Sequence, residues 1–436
     1  MEKGEYLENG VYYYKGLLDD LDSLESYDAI KDLITPPLDD GQSVDLLKAL
    51  AMKNFAVFYA TGLGKTYLAA AYVKALKNKQ PNIKVLMFMK KSQEDETPKK
   101  MMSISGLKCR VLTAGNSKTL TESMIDKNDI IMMTHDSLNS KRHMMKLNSL
   151  VKKFDAVIID EMHLLSNIEA ASSAFMLYSI TSNIEYVLGL TATPVTTDLE
   201  QFIRVLKIIA PRYVENFRKI GSNMKNYGLS ALPDELRDLF VIRDRPFNNH
   251  RGIGDFIDPM PHQIDANGKD MFLITKGEEA FAQSNRLVQL IKERRPLRGI
   301  VYINRKIIQR FVVKELENSG IKCALINGET SKEDRGIILE KFKNDEFEIV
   351  ITNIKEALDM DCNFVIFYEY TPHVKQMIGR AERGLNPVPL DIIFMFTRKT
   401  GEYDYFLRNV YEISQEVQEV LDIDFNEVTN MVFYNN

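Results

Sequence analysis

Phe55-Ala-Val-Phe-Tyr59-Ala-Thr61-Gly62-Leu63-Gly64-Lys65-Thr66 is the stretch on which the reading of this chain turns. FAVFY (55–59) is a short, continuously apolar, aromatic and β-branched run, which predicts a strand buried on both faces. Lys65-Thr66 opens a helical pattern over 65–77. A glycine-rich turn between such a strand and such a helix lets successive backbone N–H groups face a phosphate, and the helix N-terminus adds its positive end. Thr61, Gly62, Leu63 and Gly64 then form the cradle, and Lys65 reaches the β- and γ-phosphates. The Thr66 hydroxyl takes a Mg²⁺ position. Tyr59 departs from the full motif, standing where its first glycine falls.

Outward from this stretch, apolar runs alternate with helical patterns in two series. The first contains 55–59, 84–89, 129–134, 155–160 and 185–190, and the second 299–303, 322–326, 347–352, 364–368 and 391–396. Near-continuous apolar strands separated by helices imply parallel sheets covered on both faces, so two doubly wound α/β domains are expected. The expected organisation is an acidic segment over 1–34, a first domain over 35–210 and a connector over 211–280. A second domain over 281–400 and an acidic helix with a tail over 401–436 complete it. The connector is inferred from Pro211, Pro233, Pro246, Pro259 and Pro261 and the polar run NNHRGIGD.

Three further clusters carry chemistry. DAVIID (155–160) ends in Asp160-Glu161-Met162-His163. A carboxylate at the carboxyl edge of an apolar strand suits a second Mg²⁺ contact, and Glu161 is placed to orient and deprotonate an attacking water. In isolation this is an ordinary polar strand end; its position 95 residues after Lys65 gives it weight. Thr191-Ala-Thr193-Pro194 closes the next strand, 31 residues after Asp160. There, small hydroxyls beside His163 can sense a γ-phosphate and couple rather than catalyse. Gln376-Met-Ile-Gly379-Arg380-Ala-Glu-Arg383 lies on a predicted helix in the second half, with Arg380 and Arg383 on one face. Planar, permanently charged guanidinium groups suit a γ-phosphate held by another domain.

Together these clusters resemble the superfamily 2 helicases and translocases: phosphate loop, DExH, TAT and QxxGRxxR follow in order across residues 35–395. LTATP and QxxGRAxR resemble the DExH and Snf-like branches rather than DEAD-box RNA helicases. The resemblance implies two RecA-like domains that hydrolyse ATP at their interface, with Mg²⁺, to drive movement along nucleic acid, DNA in preference to RNA. A nucleotide-gated binding module without unwinding is the other alternative. Catalysis falls to Lys65, Glu161, Gln376, Arg380 and Arg383, and coupling to His163, Thr191 and Thr193. Gln42, in PPLDDGQSVDLL, is similar to the family's adenine-reading glutamine. Candidate nucleic-acid contacts are Lys90 after the 84–89 strand, Thr134 in MTHDSL, Lys141 and Arg142, Arg298, Asn304, and Thr352 of the motif V-like TN. Ala357 replaces the usual motif V glycine, and Lys90-Lys91 lacks a nearby proline.

Charge first looks unfavourable for a nucleic-acid partner, at −5 overall. It is unevenly placed, however. Residues 1–45 hold 12 acidic and 3 basic side chains, and 401–436 hold 8 acidic and one basic, Arg408, so the middle 355 residues carry +11. A local basic surface, rather than the total, decides polyanion binding. The basic stretches 141–153 and 292–298 are candidate tracks, though each also reads as a solvated face. No apolar run approaches the ~18 residues of a membrane span, and MEKGEYLENG lacks signal-peptide order. Three dispersed cysteines, Cys109, Cys323 and Cys362, form neither a metal spacing nor a disulfide framework, so a reducing cytosol is expected. The economy of the chain suggests a stripped-down motor, phage-encoded or acting with replication or recombination proteins.

Overall fold

The computed structural model describes residues 6–7, 11–12, 30, 32–60, 62–112, 120–166, 171–192, 199–209, 211, 220, 223, 232, 236, 239–243, 250–257, 263–264, 270–271, 276–353, 362–369, 377–378, 381 and 390–397. Thr61, Thr193, Gln376, Gly379, Arg380, Arg383, Ala357 and the expected helix over 401–436 lie outside these residues, as do the side chains of Lys141 and Arg142. The chain forms two compact units that divide between Pro246 and Phe247.

In the first unit the strands are β1 (Tyr6–Leu7), β2 (Val11–Tyr12), β3 (Asn54–Tyr59), β4 (Val85–Met89), β5 (Cys109–Leu112), β6 (Ile130–Thr134), β7 (Ala156–Ile159), β8 (Tyr186–Thr191) and β9 (Phe240–Arg243). Their order is β1-β2-β9-β3-β8-β7-β4-β6-β5. From β9 to β5 every pairing is parallel, while β1 and β2 add an antiparallel hairpin at the β9 edge. The helix Lys65–Lys79 packs into the core of this unit through Leu68, Ala69, Ala70, Ala71, Tyr72 and Val73, all fully buried. Its alanines let helix and sheet approach closely, and the core there is completed by Phe55, Val57, Val85 and Ile158.

The second unit contains β10 (His250–Ile257), the short pair β11 (Gln263–Ile264) and β12 (Asp270–Met271), then β13 (Gly299–Tyr302), β14 (Cys323–Ile326), β15 (Ile349–Thr352), β16 (Phe364–Phe367) and β17 (Leu390–Thr397). Six strands form one parallel sheet, ordered β10-β17-β16-β13-β15-β14. Alternation sends Ile300, Tyr302, Val350 and Phe367 into one core and Val301, Ile303, Ile351 and Ile366 into the other, so both faces are covered.

The two expected parallel-sheet α/β domains are therefore present. The stretch expected to be a connector, 211–280, contributes β9 to the first sheet and β10 to the second. Phe240 to Arg243 is only four residues long and too short to show a period, so its neighbours β3 and Phe202 decide its place. Among the described residues no helix is long and apolar enough to cross a membrane.

Candidate functional site

The first sheet brings the sequence-predicted residues of its unit to one edge. Thr191, Asp160, Lys90 and Thr134 stand at the carboxyl ends of β8, β7, β4 and β6, adjacent in that order, and Tyr59 and Arg243, neither of them a predicted site residue, end the neighbouring β3 and β9. This is the edge where open α/β sheets bind ligands.

The loop after β3 turns on the two glycines of the expected cradle. Gly62 and Gly64 adopt φ of 87° and 82°, values that side chains with a Cβ rarely adopt. Gly64 is the N-cap of the helix Lys65–Lys79 and supplies no side-chain cap, which leaves the first N–H groups of that helix to a ligand. Lys65 Nζ donates to the Tyr59 carbonyl at 2.9 Å. The residue that replaces the first glycine of the motif thus holds the loop lysine by its main chain.

Beyond β7, Asp160 is buried. Burial, reinforced by the neighbouring Glu161 charge, pushes its carboxyl up to about 7, while Lys65 and a hydrogen bond from Gln93 pull it down. Asp160 Oδ1 accepts the Glu161 N–H at 3.0 Å. Glu161 has φ of 49°, a left-handed conformation unusual for a side chain of its size. His163 Nδ1 lies 2.6 Å from Thr191 Oγ1 and 3.4 Å from Glu161 Oε2. Burial holds His163 down to about 4, so the ring is neutral near pH 7 and its contact with Glu161 is not an ion pair there. His163 and Thr191, both assigned to coupling, are thus in contact, and the contact reaches the carboxylate expected to handle water.

Two further residues at this edge were not candidate site residues: His135, within the MTHDSL stretch, and Gln93. His135 follows Thr134, is buried, and forms a hydrogen bond to the Asp160 main chain; burial pulls it down to about 4. Gln93 bonds the Asp160 carboxyl from the turn after β4. Only contact across parallel strands reveals either. The Lys90 charge adds to burial in depressing both His135 and His163.

A divalent cation finds few protein ligands here: the Thr66 hydroxyl and Asp160 are the oxygen donors the sequence offers, and no cluster of three or more His, Cys, Asp or Glu exists among the described residues. That scarcity suits Mg²⁺, which binds through one or two protein oxygens, phosphates and water. A buried carboxyl pushed up to about 7 also fits a partner cation.

In the second unit Thr352 is fully buried, as Thr134 is nearly so in the first. Asn304 is exposed, and its main-chain N–H donates to Glu369 Oε2 at 2.6 Å. Arg298 donates to the carbonyls of Phe342 and Lys343, both at 2.9 Å, at the end of the helix Lys332–Lys343, and pairs with Asp345 at 3.2 Å. Arg294 pairs with Asp391 at 3.3 Å, and Arg295 with Glu348 at 2.6 Å. The 292–298 run, a candidate phosphate track in sequence, is thus held largely within its own unit.

Comparison with known proteins agrees with this architecture. Residues 29–196 match the model of the type III restriction enzyme res subunit, and 282–385 match the helicase conserved C-terminal domain. No curated protein matches the chain. Among solved structures, the Hef helicase domain of Pyrococcus furiosus is similar at 15% identity, covering 84% of this chain and 97% of that one, with a TM-score of 0.54. The SWI2/SNF2 ATPase core of Sulfolobus solfataricus in complex with dsDNA is 15% identical over 92% of this chain and 98% of its own, with a TM-score of 0.43. With both domain models matched in this order, the chain belongs to the superfamily 2 helicases. Its domains are those of a nucleic-acid helicase or translocase, a class that uses ATP.

Proposed function

We propose that the chain is a DNA translocase or helicase that couples ATP hydrolysis in the first unit to movement along the strand. One observation carries the reading: the phosphate loop, Asp160-Glu161 and the His163–Thr191 contact occupy the ends of three adjacent strands, β3, β7 and β8. Lys65, parked on the Tyr59 carbonyl, would exchange that contact for the β- and γ-phosphates. Thr66 and Asp160 would hold Mg²⁺, which supplies charge neutralisation on the phosphates. Glu161, positioned by its own N–H to Asp160, would orient and deprotonate water. His163, neutral and bonded to Thr191, would report the state of the γ-phosphate to β8. Arg380 and Arg383 are assigned to the developing charge on the γ-phosphate, and Gln376 assists from the same motif.

Steady-state ATPase measured with single-stranded DNA, duplex DNA and RNA tests the proposal. DNA should stimulate turnover more than RNA does. Stronger stimulation by RNA would replace the DNA reading, and binding without turnover would leave a nucleotide-gated module.

A further inference from the structure

We propose that Arg243, seated over Gly41, is a positioning residue that sets the base selectivity of the nucleotide site by holding the Gln42 amide in one orientation. This rests on reading the loop after β3 as a nucleotide site. No sequence motif marked Arg243, and the function argued above makes no use of it.

The argument begins with Gln42. Its Oε1 accepts the Asp39 main-chain N–H at 3.1 Å, and its Nε2 donates to the Leu63 carbonyl at 3.0 Å. A backbone donor and a backbone acceptor cannot exchange roles, so the amide cannot flip without losing both bonds. Each end keeps unused capacity: the oxygen has a second lone pair and the nitrogen a second hydrogen. Gln42 is half-buried, so its remaining edge is open to a ligand. An acceptor and a donor side by side complement adenine, which offers an amino donor beside the N7 acceptor. They mismatch guanine, which offers two acceptors at that edge.

Arg243 holds the frame in which Gln42 sits. The Asp39 carboxylate accepts the Gln42 N–H at 2.7 Å and the Arg243 Nη1 donor at 3.3 Å. Arg243 Nε is 2.6 Å from Asp45 Oδ2, on the same helix (Asp40–Met52) one turn beyond Gln42. The guanidinium carbon lies 5.0 Å from the centre of the Tyr59 ring, and the Tyr59 hydroxyl donates to that same Asp45 oxygen at 2.6 Å. The Ala60 N–H donates to the Arg243 carbonyl at 2.9 Å. A single side chain from the end of β9 therefore grips the helix on both sides of Gln42 and rests on the residue that enters the phosphate loop.

Two glycines make this possible by close approach. A Cβ at position 41 would overlap the guanidinium, and one at position 64 would overlap Gln42 Nε2. A buried guanidinium between two carboxylates is a weak device for stability, because well-packed apolar groups do as well. It is an effective device for holding a geometry, since its planar fork reaches two acceptors at once.

The test is calorimetric titration of MgATP and MgGTP, with KM and kcat for both, on the wild type, Arg243→Ala, Arg243→Lys and Gly41→Ala, with a thermal melt for each. The wild type should prefer ATP. Arg243→Ala and Gly41→Ala should reduce the ATP-over-GTP ratio about tenfold, through weaker ATP binding and raised KM rather than lower kcat. Arg243→Lys should recover only part of it, a point charge lacking the fork. Equal weakening of ATP and GTP, with the ratio kept, would show a merely structural network and overturn the inference, as would a wild type without base preference. Should Arg243→Ala fail to fold, the Lys and Gly41→Ala variants decide by the same ratio. Selective binding of ATP without turnover would instead sink the ATPase reading and leave this inference standing.

Discussion

Each of the two units is built on its own parallel sheet, and the two put opposite things at the carboxyl edge. In the first, Lys65, Asp160, Glu161 and His163 crowd together, with one carboxyl pushed up to about 7 and one imidazole held down to about 4. In the second, the strand ends satisfy one another. Glu369 accepts the N–H groups of Asn304 and Arg305 and pairs with the Arg305 side chain. Gln309 donates to the Ile303 carbonyl at 2.7 Å and accepts from Asn327 at 3.1 Å. Buried polar groups that answer one another stabilise a fold; buried groups held with perturbed protonation and an uncapped helix end await a ligand. The difference teaches that, among the described residues, like sheets can carry unlike edges, and that the residue types at the strand ends set the two apart.

Mutation should separate the two edges by what fails. Lys65→Ala should remove measurable turnover while leaving the melting temperature within a degree or two, because the half-buried lysine is no part of the core; wild-type ATPase in the purified variant would end the phosphate-loop assignment. Arg380→Ala or Arg383→Ala should cost ~10³–10⁵ in rate with ATP binding retained, the usual worth of an arginine finger. Unchanged DNA-stimulated turnover in both would confine the chemistry to the first unit.

Glu161→Gln should slow hydrolysis ~10²–10⁴-fold yet still bind MgATP, the range for losing a general base. Failure to bind would reassign Glu161 to holding the nucleotide. Thr191→Val should leave basal ATPase within a few-fold and blunt its stimulation by DNA, since it removes the His163 partner. Stimulation equal to wild type would remove His163–Thr191 from coupling.

The smallest effect is expected in the second unit. Arg295→Ala should destabilise by about 1–2 kcal/mol, read from denaturant titration, because it breaks the Glu348 pair and the bond to the Gly320 carbonyl at 2.7 Å. DNA affinity and its salt dependence should not change. A salt slope lower by about one would show that Arg295 neutralises a phosphate, and the contrast between the edges would soften.

Much of this molecule was legible because its information is local. A strand, a glycine turn and a helix start lie within twelve consecutive residues, 55–66, and a phosphate cradle needs no more than that local order. Asp160-Glu161 and Thr191 were legible by spacing, since a strand end fixes where a side chain emerges. The 292–298 run was ambiguous for the opposite reason: charge is visible in sequence, but Asp391 and Glu348, which hold Arg294 and Arg295, lie about 97 and 53 residues away. Four-residue β9 carries too short a pattern to announce itself, and its strand order cannot be read along the chain.

The sequence by itself thus determined the class of fold and where the proposed phosphate loop and carboxylates fall along the chain, all set by short-range backbone and periodicity rules. Tertiary structure alone decided which strands are neighbours, and so brought Arg243 to Asp45 and Tyr59, His135 to Asp160, and Thr191 to His163. The physical reason is that parallel sheets pair strands distant in sequence, so contacts at their edge depend on the order of packing, which burial of both faces selects.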